Sequence, residues 1–212
     1  MNTTDSISGY PNNDKPIGII ILAAGESSRL GKAKQLLKHR DGQTLISHTC
    51  QLAIATGIQP ILLVLGAHKE IILEEVQGLP LQIVFNDHWA EGISTSIKKG
   101  LVGILNMHPS ISAVIIMVCD QPLLSAELIS KLASEYINTG KPIIASKYND
   151  VMGTPALFDR SLFGLLNELT GDRGAGKIIN QNPDWVGVVP FDGGGLDIDR
   201  EEDYRLYLKK LD

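Results

Sequence analysis

Cysteine is scarce in this chain of 212 residues, with only Cys50 and Cys119. Two thiols supply neither a disulfide framework nor the paired spacing of a zinc site, which suits a reducing compartment. Cys50 falls in a helix-like apolar pattern and Cys119 ends a strand-like run, so both read as core residues rather than nucleophiles. Basic charge is also short. Lys and Arg number 19 against 24 Asp and Glu, a net charge of -5, which argues against a general nucleic-acid binder with its basic surplus or stripe. No apolar run approaches the ~18 residues of a membrane span. The first fifteen residues, MNTTDSISGYPNNDK, are polar and turn-rich and lack the basic segment and apolar stretch of a signal peptide. These absences describe a cytoplasmic protein with no membrane and no nucleic-acid partner. Its expected layout is a disordered tail over 1–15 and a single domain over 16–212, long enough for a substantial core. No internal repeat is present.

What the chain does have is concentrated between Ile17 and Leu37. A continuous apolar run, Ile17 to Ala23, breaks at Gly25, and Ser27, Ser28, Arg29, Gly31, Lys32 and Lys34 come within the next ten residues. A strand covered on both faces is apolar throughout, so this order predicts a buried parallel strand feeding a small-residue, cationic loop. Ala23, Ala24 and Gly25 leave room for a ligand to reach the backbone. Hydroxyls, free amides and cations together favour a polyphosphate. Two P-loop near misses fail on detail. Gly25 to Gly31 encloses five residues and Lys32 is followed by Ala33. GDRGAGK at Gly171–Lys177 has the spacing, but Ile178 stands where the magnesium-binding hydroxyl belongs. The opening loop also lacks GxGxxG, which disfavours a dinucleotide-binding dehydrogenase.

Strand and helix patterns then alternate. Thr44 is placed to cap a helix from Leu45 to Gly57, and Pro60–Leu65 reads as a second strand. KEIILEEVQ reads as an amphipathic helix with Ile71, Ile72 and Val76 inward, and 81–86 as a third strand. Gly92, Ser94 and Ser96 open a helix running to about Asn106. Its start could hold an anion, or Ser94 could simply cap it. ISAVIIMV, 111–118, is the most apolar strand and delivers Asp120 at its carboxyl end, where open α/β sheets place their ligands. A carboxylate there, opposite a cationic phosphate loop, could hold magnesium. A capped helix over 125–140, a fifth strand, a hairpin-like edge near Gly153 and a final helix complete the chain. His68 reads as a loop residue. The alternation predicts an α/β protein with a three-layer, mostly parallel, Rossmann-like sheet and right-handed crossovers.

The run LAAGESSRLGKAKQLL resembles the signature loop of the nucleotidyltransferases of the molybdenum-cofactor type, matching at Leu22, Ala23, Ala24, Gly25, Ser27, Arg29, Gly31, Lys34, Leu36 and Leu37. The resemblance spans roughly residues 17–208 and implies a nucleotide-diphospho-sugar transferase type of fold. It implies that the loop, with Ser28, wraps a nucleoside triphosphate and that Arg29 and Lys34 contact phosphate. Asp120, in an x-D-x-P element, becomes a magnesium ligand. Asp197 or Asp199, in a segment similar to D-I-D-T-P-E-D, completes the metal site. Gly153, Thr154 and Pro155 resemble a G-x-P element beside the acceptor. Lys177 replaces an arginine of a G-D-x-G-A-R element, keeping the charge without the planar fork. LAAG rather than LAGG, and G-I-S-x-S at Gly92–Ser96, are similar to the cytidylyl-transferring branch. The implied activity is transfer of CMP from CTP to a phosphate-bearing acceptor, molybdopterin or molybdenum cofactor, with Mg2+ and no protein nucleophile. A molybdoenzyme receiving the product is an implied partner. The alternatives are a related enzyme using GTP or a sugar phosphate, and a non-catalytic nucleotide-binding module that delivers cofactor.

Overall fold

Seven strands form one sheet in the order β3-β2-β1-β4-β6-β5-β7 in the computed structural model, which describes residues 15–209. The tail expected over 1–15 lies outside the described residues apart from Lys15. The strands are β1 (Ile17–Ala23), β2 (Ile61–Leu65), β3 (Gln82–Phe85), β4 (Ala113–Val118), β5 (Ile143–Tyr148), β6 (Val151–Asp159) and β7 (Val186–Pro190). Only β6 runs against the others, pairing antiparallel with both β4 and β5. The helices are α1 (Leu45–Ala55), α2 (Lys69–Glu75), α3 (Ile93–Met107), α4 (Ala126–Thr139), α5 (Phe163–Asn167), α6 (Gly176–Gln181) and α7 (Glu201–Lys209). None of the described helices is long and apolar enough to cross a membrane.

The apolar strands are apolar because both faces are covered. Ile19, Ile21, Leu63, Ile115 and Met117 face a core shared with α1, α2 and α4, where Cys50, Ile72, Leu132 and Tyr136 are buried. Ile20, Leu22, Val64, Val114 and Ile116 face the opposite core with Ile97, Leu101 and Ile104 of α3 and with α5 and α6. Successive strand residues point to opposite faces, so each continuous run feeds two layers. Thr44 and Ser125 cap α1 and α4, each accepting from the amide three residues on, Ser47 at 3.4 Å and Leu128 at 3.2 Å.

Three expectations change. Ile71 faces solvent at 43% exposure, while Ile72, with Leu73 and the Val76 that ends the helix, packs against the core. Ser94 does not cap α3: the cap position is Gly92, at φ 107°. The segment expected as an edge is β6, which lies inside the sheet with Ala156, Leu157 and Phe158 fully buried. Pro155 argues for an edge because it cannot donate to a ladder. Here it sits with Thr154 in a bulge at the Ala145/Ser146 step, where the register passes from Ala145↔Ala156 to Ser146↔Gly153. Side chains satisfy the bulge carbonyls: Ser146 Oγ donates to Pro155 O at 2.7 Å and Gln121 Nε2 to Thr154 O at 3.0 Å.

α3 lies close on the sheet because two of its sheet-facing positions carry no side chain. A Cβ on Gly100 would stand 2.6 Å from Ile20 Cγ2, and one on Gly103 would stand 3.0 Å from Leu62 Cδ2. Alanine gains about 1 kcal/mol of helix propensity over glycine, whereas overpacking a close-packed core costs about 1–3 kcal/mol. We therefore expect Gly100→Ala to lower the unfolding free energy by up to about 2 kcal/mol in urea titration; a stabilised variant would show that α3 is free to back away.

Candidate active site

β1 has β2 on one side and β4 on the other, so the chain order reverses between β1 and β4. That is the switch point of an open α/β sheet, where a crevice opens beyond the strand ends. Their register pairs Leu22 with Val118, so the loop after β1 and Cys119-Asp120 after β4 emerge side by side. A cleft of about 380 Å³ lies there, lined by Leu22–Ser28, Lys34, Gln35, Trp89, Gly92, Ser96 and Asp120 among others.

The loop is held open from below. Ser27 takes a left-handed conformation (φ 61°) and its carbonyl accepts from Leu30 and Gly31 at 3.0 and 3.2 Å. Gln35, 1% exposed, donates its amide to Ala23 O at 3.2 Å and Gly25 O at 2.8 Å. Ser27 Oγ accepts from the Lys34 amide at 3.2 Å. These bonds direct the Lys34 side chain across the crevice, where Nζ meets Asp120 Oδ2 at 2.6 Å and Asp199 Oδ1 at 2.9 Å.

The acidic side comes from two elements. Asp120 ends β4, and the amide of Ile198 donates to the Asp120 carbonyl at 2.9 Å, which brings Asp197 and Asp199 alongside. Asp203 caps the adjoining turn, accepting from the amides of Asp199 and Arg200 at 3.2 and 2.8 Å. Burial alone would depress the Lys34 ammonium, but Asp120 and Asp199 outweigh it and raise its pKa above the ordinary lysine value. Loss of solvent pushes Asp197 up to about 6, and the Asp120 charge pushes the same way. Asp199 is held low, first by its hydrogen bond to Lys34. Asp120 Oδ1 is buried without a partner. The cysteine beside it is inert: burial raises the Cys119 thiol to about 12.

The chain that builds this cleft, with Lys34 reaching Asp120 and a pinned small-residue loop, matches a family model, the MobA-like NTP transferase domain, over residues 19–186. The chain belongs to this family. It is an enzyme of the nucleotidyltransferase class, on the nucleotide-diphospho-sugar transferase fold. Nicotine blue oxidoreductase from Paenarthrobacter nicotinovorans is 26% identical over 201 residues, covering 88% of this chain and 94% of that one. Rv0371c from Mycobacterium tuberculosis superposes with a TM-score of 0.79 at 30% identity, covering 92% of this chain and 99% of the other. A manganese complex of Rv0371c gives 0.73 at 27% identity, with 92% and 98% covered.

Not every residue singled out in the sequence lies on this cleft: Asp197 and Asp199 stand beside Asp120 but outside the lining. Arg29 stands at the rim with its side chain 72% exposed, 3.8 Å from Asp199, and is not in the lining. Gly92 and Ser96 line the cleft, whereas Ser94 is buried beside it, its amide bonded to Gly171 O at 3.1 Å and its Oγ without a partner. Gly153 and Thr154 line a second pocket of about 260 Å³ with Tyr148, Gly174 and Asn180, and this pocket adjoins the first through Leu22, Ile93 and Val118. Pro155 lies just behind it in the β6 bulge. Of GDRGAGK, Asp172 reaches the cleft, but Lys177 lies in a separate depression near Trp185.

Three supporting residues escape a motif reading. Gln35 and Gln121 brace the loop and the bulge. Asn86, 3% exposed, ties β3 to α3 by donating to Thr95 Oγ1 and Ser96 Oγ, both at 2.9 Å. The cue available for each is an amide beside an otherwise apolar or glycine-rich run.

Two outcomes are expected. Gln35→Ala strands two loop carbonyls and should lower the unfolding free energy by about 1–3 kcal/mol, read by urea titration; an unchanged midpoint would mean water replaces the amide. Asp197 has a folded pKa of about 6, raised above its ordinary value of 3.8. Its contribution therefore favours the fold below about pH 4 and is lost as pH rises through about 6. In metal-free buffer, Asp197→Asn should raise Tm near pH 7.5 and leave it unchanged near pH 4. An equal rise at both would contradict the crowding of these acids.

Proposed function

We propose that the protein transfers CMP from CTP to a phosphate-bearing acceptor, molybdopterin or molybdenum cofactor, releasing pyrophosphate. The observation that carries this reading is Lys34 held between Asp120 and Asp199 at the mouth of a cleft walled by the backbone of residues 24–28. Cation-binding acids and a polyphosphate cradle stand there side by side.

The donor set fits a divalent oxygen-seeking cation. Asp120 keeps one buried oxygen unpartnered, and burial first, with the Asp120 charge second, makes Asp197 resist ionisation. Asp120 with Asp197 or Asp199 would hold Mg2+, which when bound supplies positive charge to phosphate oxygens. The chain's own part is alignment and charge. The amides and hydroxyls of Ala24–Ser28 cradle the triphosphate, and Lys34, with Arg29 from the rim, offsets charge as pyrophosphate departs. Phosphoryl-type transfer needs no protein nucleophile when positioning and electrostatics are provided; the acceptor's phosphate oxygen is the attacking atom.

The acceptor is assigned to the second pocket, beside Gly153, Thr154 and Pro155, because it opens onto the first. The base is assigned to the wall formed by Gly92 and Ser96, with Ser94 behind it. LAAG at residues 22–25 and the Gly92–Ser96 pattern support cytosine over guanine. The protein is assigned to the cytoplasm, and a molybdoenzyme is the expected recipient of the product.

Each of the four nucleoside triphosphates would be incubated with the protein, Mg2+ and molybdopterin, and the products weighed. The expected product is the cytidylylated cofactor. A guanylylated product, or turnover only with a sugar phosphate, would assign a related transferase; tight CTP binding without pyrophosphate release would assign a delivery module. Asp120→Asn should cut pyrophosphate release by on the order of a hundredfold or more with an unchanged circular dichroism spectrum. Full activity in that variant would remove Asp120 from the chemistry.

A further inference from the structure

The second pocket differs from the cleft in its chemistry. Among the described residues that line it, none carries a charge. Its floor is aliphatic: Leu22 of β1, Ile116 and Val118 of β4, Ile97 of α3 and Met152 of β6 all belong to one apolar cluster. Three lining side chains can hydrogen-bond, those of Tyr148, Thr154 and Asn180.

Tyr148 is the one for which the backbone makes room. A Cβ on Gly153 would overlap the Tyr148 hydroxyl oxygen, and one on Gly194 would overlap its ring at Cδ1. Neither glycine has a positive φ, so each supplies space rather than backbone freedom. Phe191 meets the same ring edge-on, with centroids 6.1 Å apart at 83°. The glycine run 193–195 thus serves at its centre to seat one tyrosine, on the opposite side from β6. Seated there, the hydroxyl lies against Gly153 in the pocket wall. It also faces the acids: burial raises the phenol above its ordinary value, and the Asp197 and Asp120 charges add to the rise. A protonated donor therefore stands at the seam between the two pockets.

This lining discriminates between kinds of ligand. A sugar presents a hydroxyl from nearly every ring carbon, and each one buried without a partner costs about 1–3 kcal/mol. Three neutral side chains leave most of them unanswered. A flat heteroaromatic ring keeps its polar atoms on its edge and lays apolar faces on aliphatic chains, the usual division of labour in a ligand pocket. The volume of about 260 Å³ lies just under the roughly 300 Å³ at which such pockets begin, which suits a body of one or two rings.

We propose that Tyr148 determines which acceptor the second pocket takes, its hydroxyl donating to the edge of an uncharged, flat heteroaromatic ring that lies on the aliphatic floor. The assignment rests on reading this pocket as the acceptor's, and it sets ring-bearing acceptors above sugar phosphates.

The test uses two uncharged probes without phosphate, pterin and methyl α-glucoside. Each is titrated into the full chain saturated with CTP and Mg2+, which occupy the first cleft, and binding is followed by saturation-transfer NMR. Pterin should bind, and methyl α-glucoside at least tenfold more weakly. Tyr148→Phe keeps the ring and should weaken pterin about tenfold, as expected for one lost hydrogen bond. Gly153→Ala, which displaces the hydroxyl, should weaken it by a similar factor in the parent chain. In the Tyr148→Phe background the same change should cost much less, because the nearest remaining ring atom, Cζ, is 3.2 Å from the added Cβ. CTP affinity should be the same in all these variants. Equal affinity for the two probes, or additive losses in the double variant, would overturn the proposal. So would equal pterin affinity in Tyr148→Phe and the parent chain, which would leave the hydroxyl serving its neighbour Gln121 alone. If the parent chain binds no CTP yet gives the same pterin pattern, the transferase reading falls and the ring site at Tyr148 stands.

Discussion

The parallel pairing of β1 with β4 is the constraint on which the site depends. Because Ile17–Leu22 run in register with Ala113–Val118, the two strands end at the same height, and the segments that leave them must share one crevice. A loop rich in small residues leaves β1 and an aspartate leaves β4. Lys34 then spans the gap to Asp120 at 2.6 Å. Slipping that register by one residue would turn Asp120 to the other face of the sheet.

The charges in the crevice are crowded rather than paired off one by one. One ammonium faces Asp120 and Asp199, while Asp197 close by ionises reluctantly. A structure built only for stability would spread such acids apart or pair each with its own base. Gathering them costs free energy that a cation and a polyphosphate would return, which is the usual signature of a functional cluster. The ion pairs between the loop and the C-terminal segment, Lys32–Glu201 at 2.9 Å and Arg29–Asp199 at 3.8 Å, are exposed and individually weak. They keep the loop near the acids without locking it.

Membership of the MobA-like NTP transferase family leaves room for divergence, as a relative named for an oxidoreductase activity illustrates. The features in this chain that bear on chemistry are therefore local ones: the pinned loop, the three acids and the adjoining second pocket. The scaffold beneath them, with its helices on both faces of a mostly parallel sheet, is common ground for many activities.

The amino-acid sequence by itself determined the elements whose signals are local. The apolar run Ile17–Ala23 reads as a strand buried on both faces, Thr44 and Ser125 announced their helices, and the loop motif and the aspartate after β4 were readable because they sit at strand ends. Tertiary structure decided what depends on partners distant in sequence. It placed β6 inside the sheet despite Pro155, because a bulge lets side chains answer the carbonyls that a ladder would leave. It turned Ile71 to solvent, set Gly92 rather than Ser94 at the start of α3, left Arg29 on the rim and carried Lys177 away from the cleft. It also recruited Gln35 and Gln121 as braces and seated Tyr148 between Gly153 and Gly194. A side chain's neighbours across the fold are set by packing that no stretch of ten residues encodes, whereas its backbone's need for hydrogen bonds and burial is written in the residues on either side.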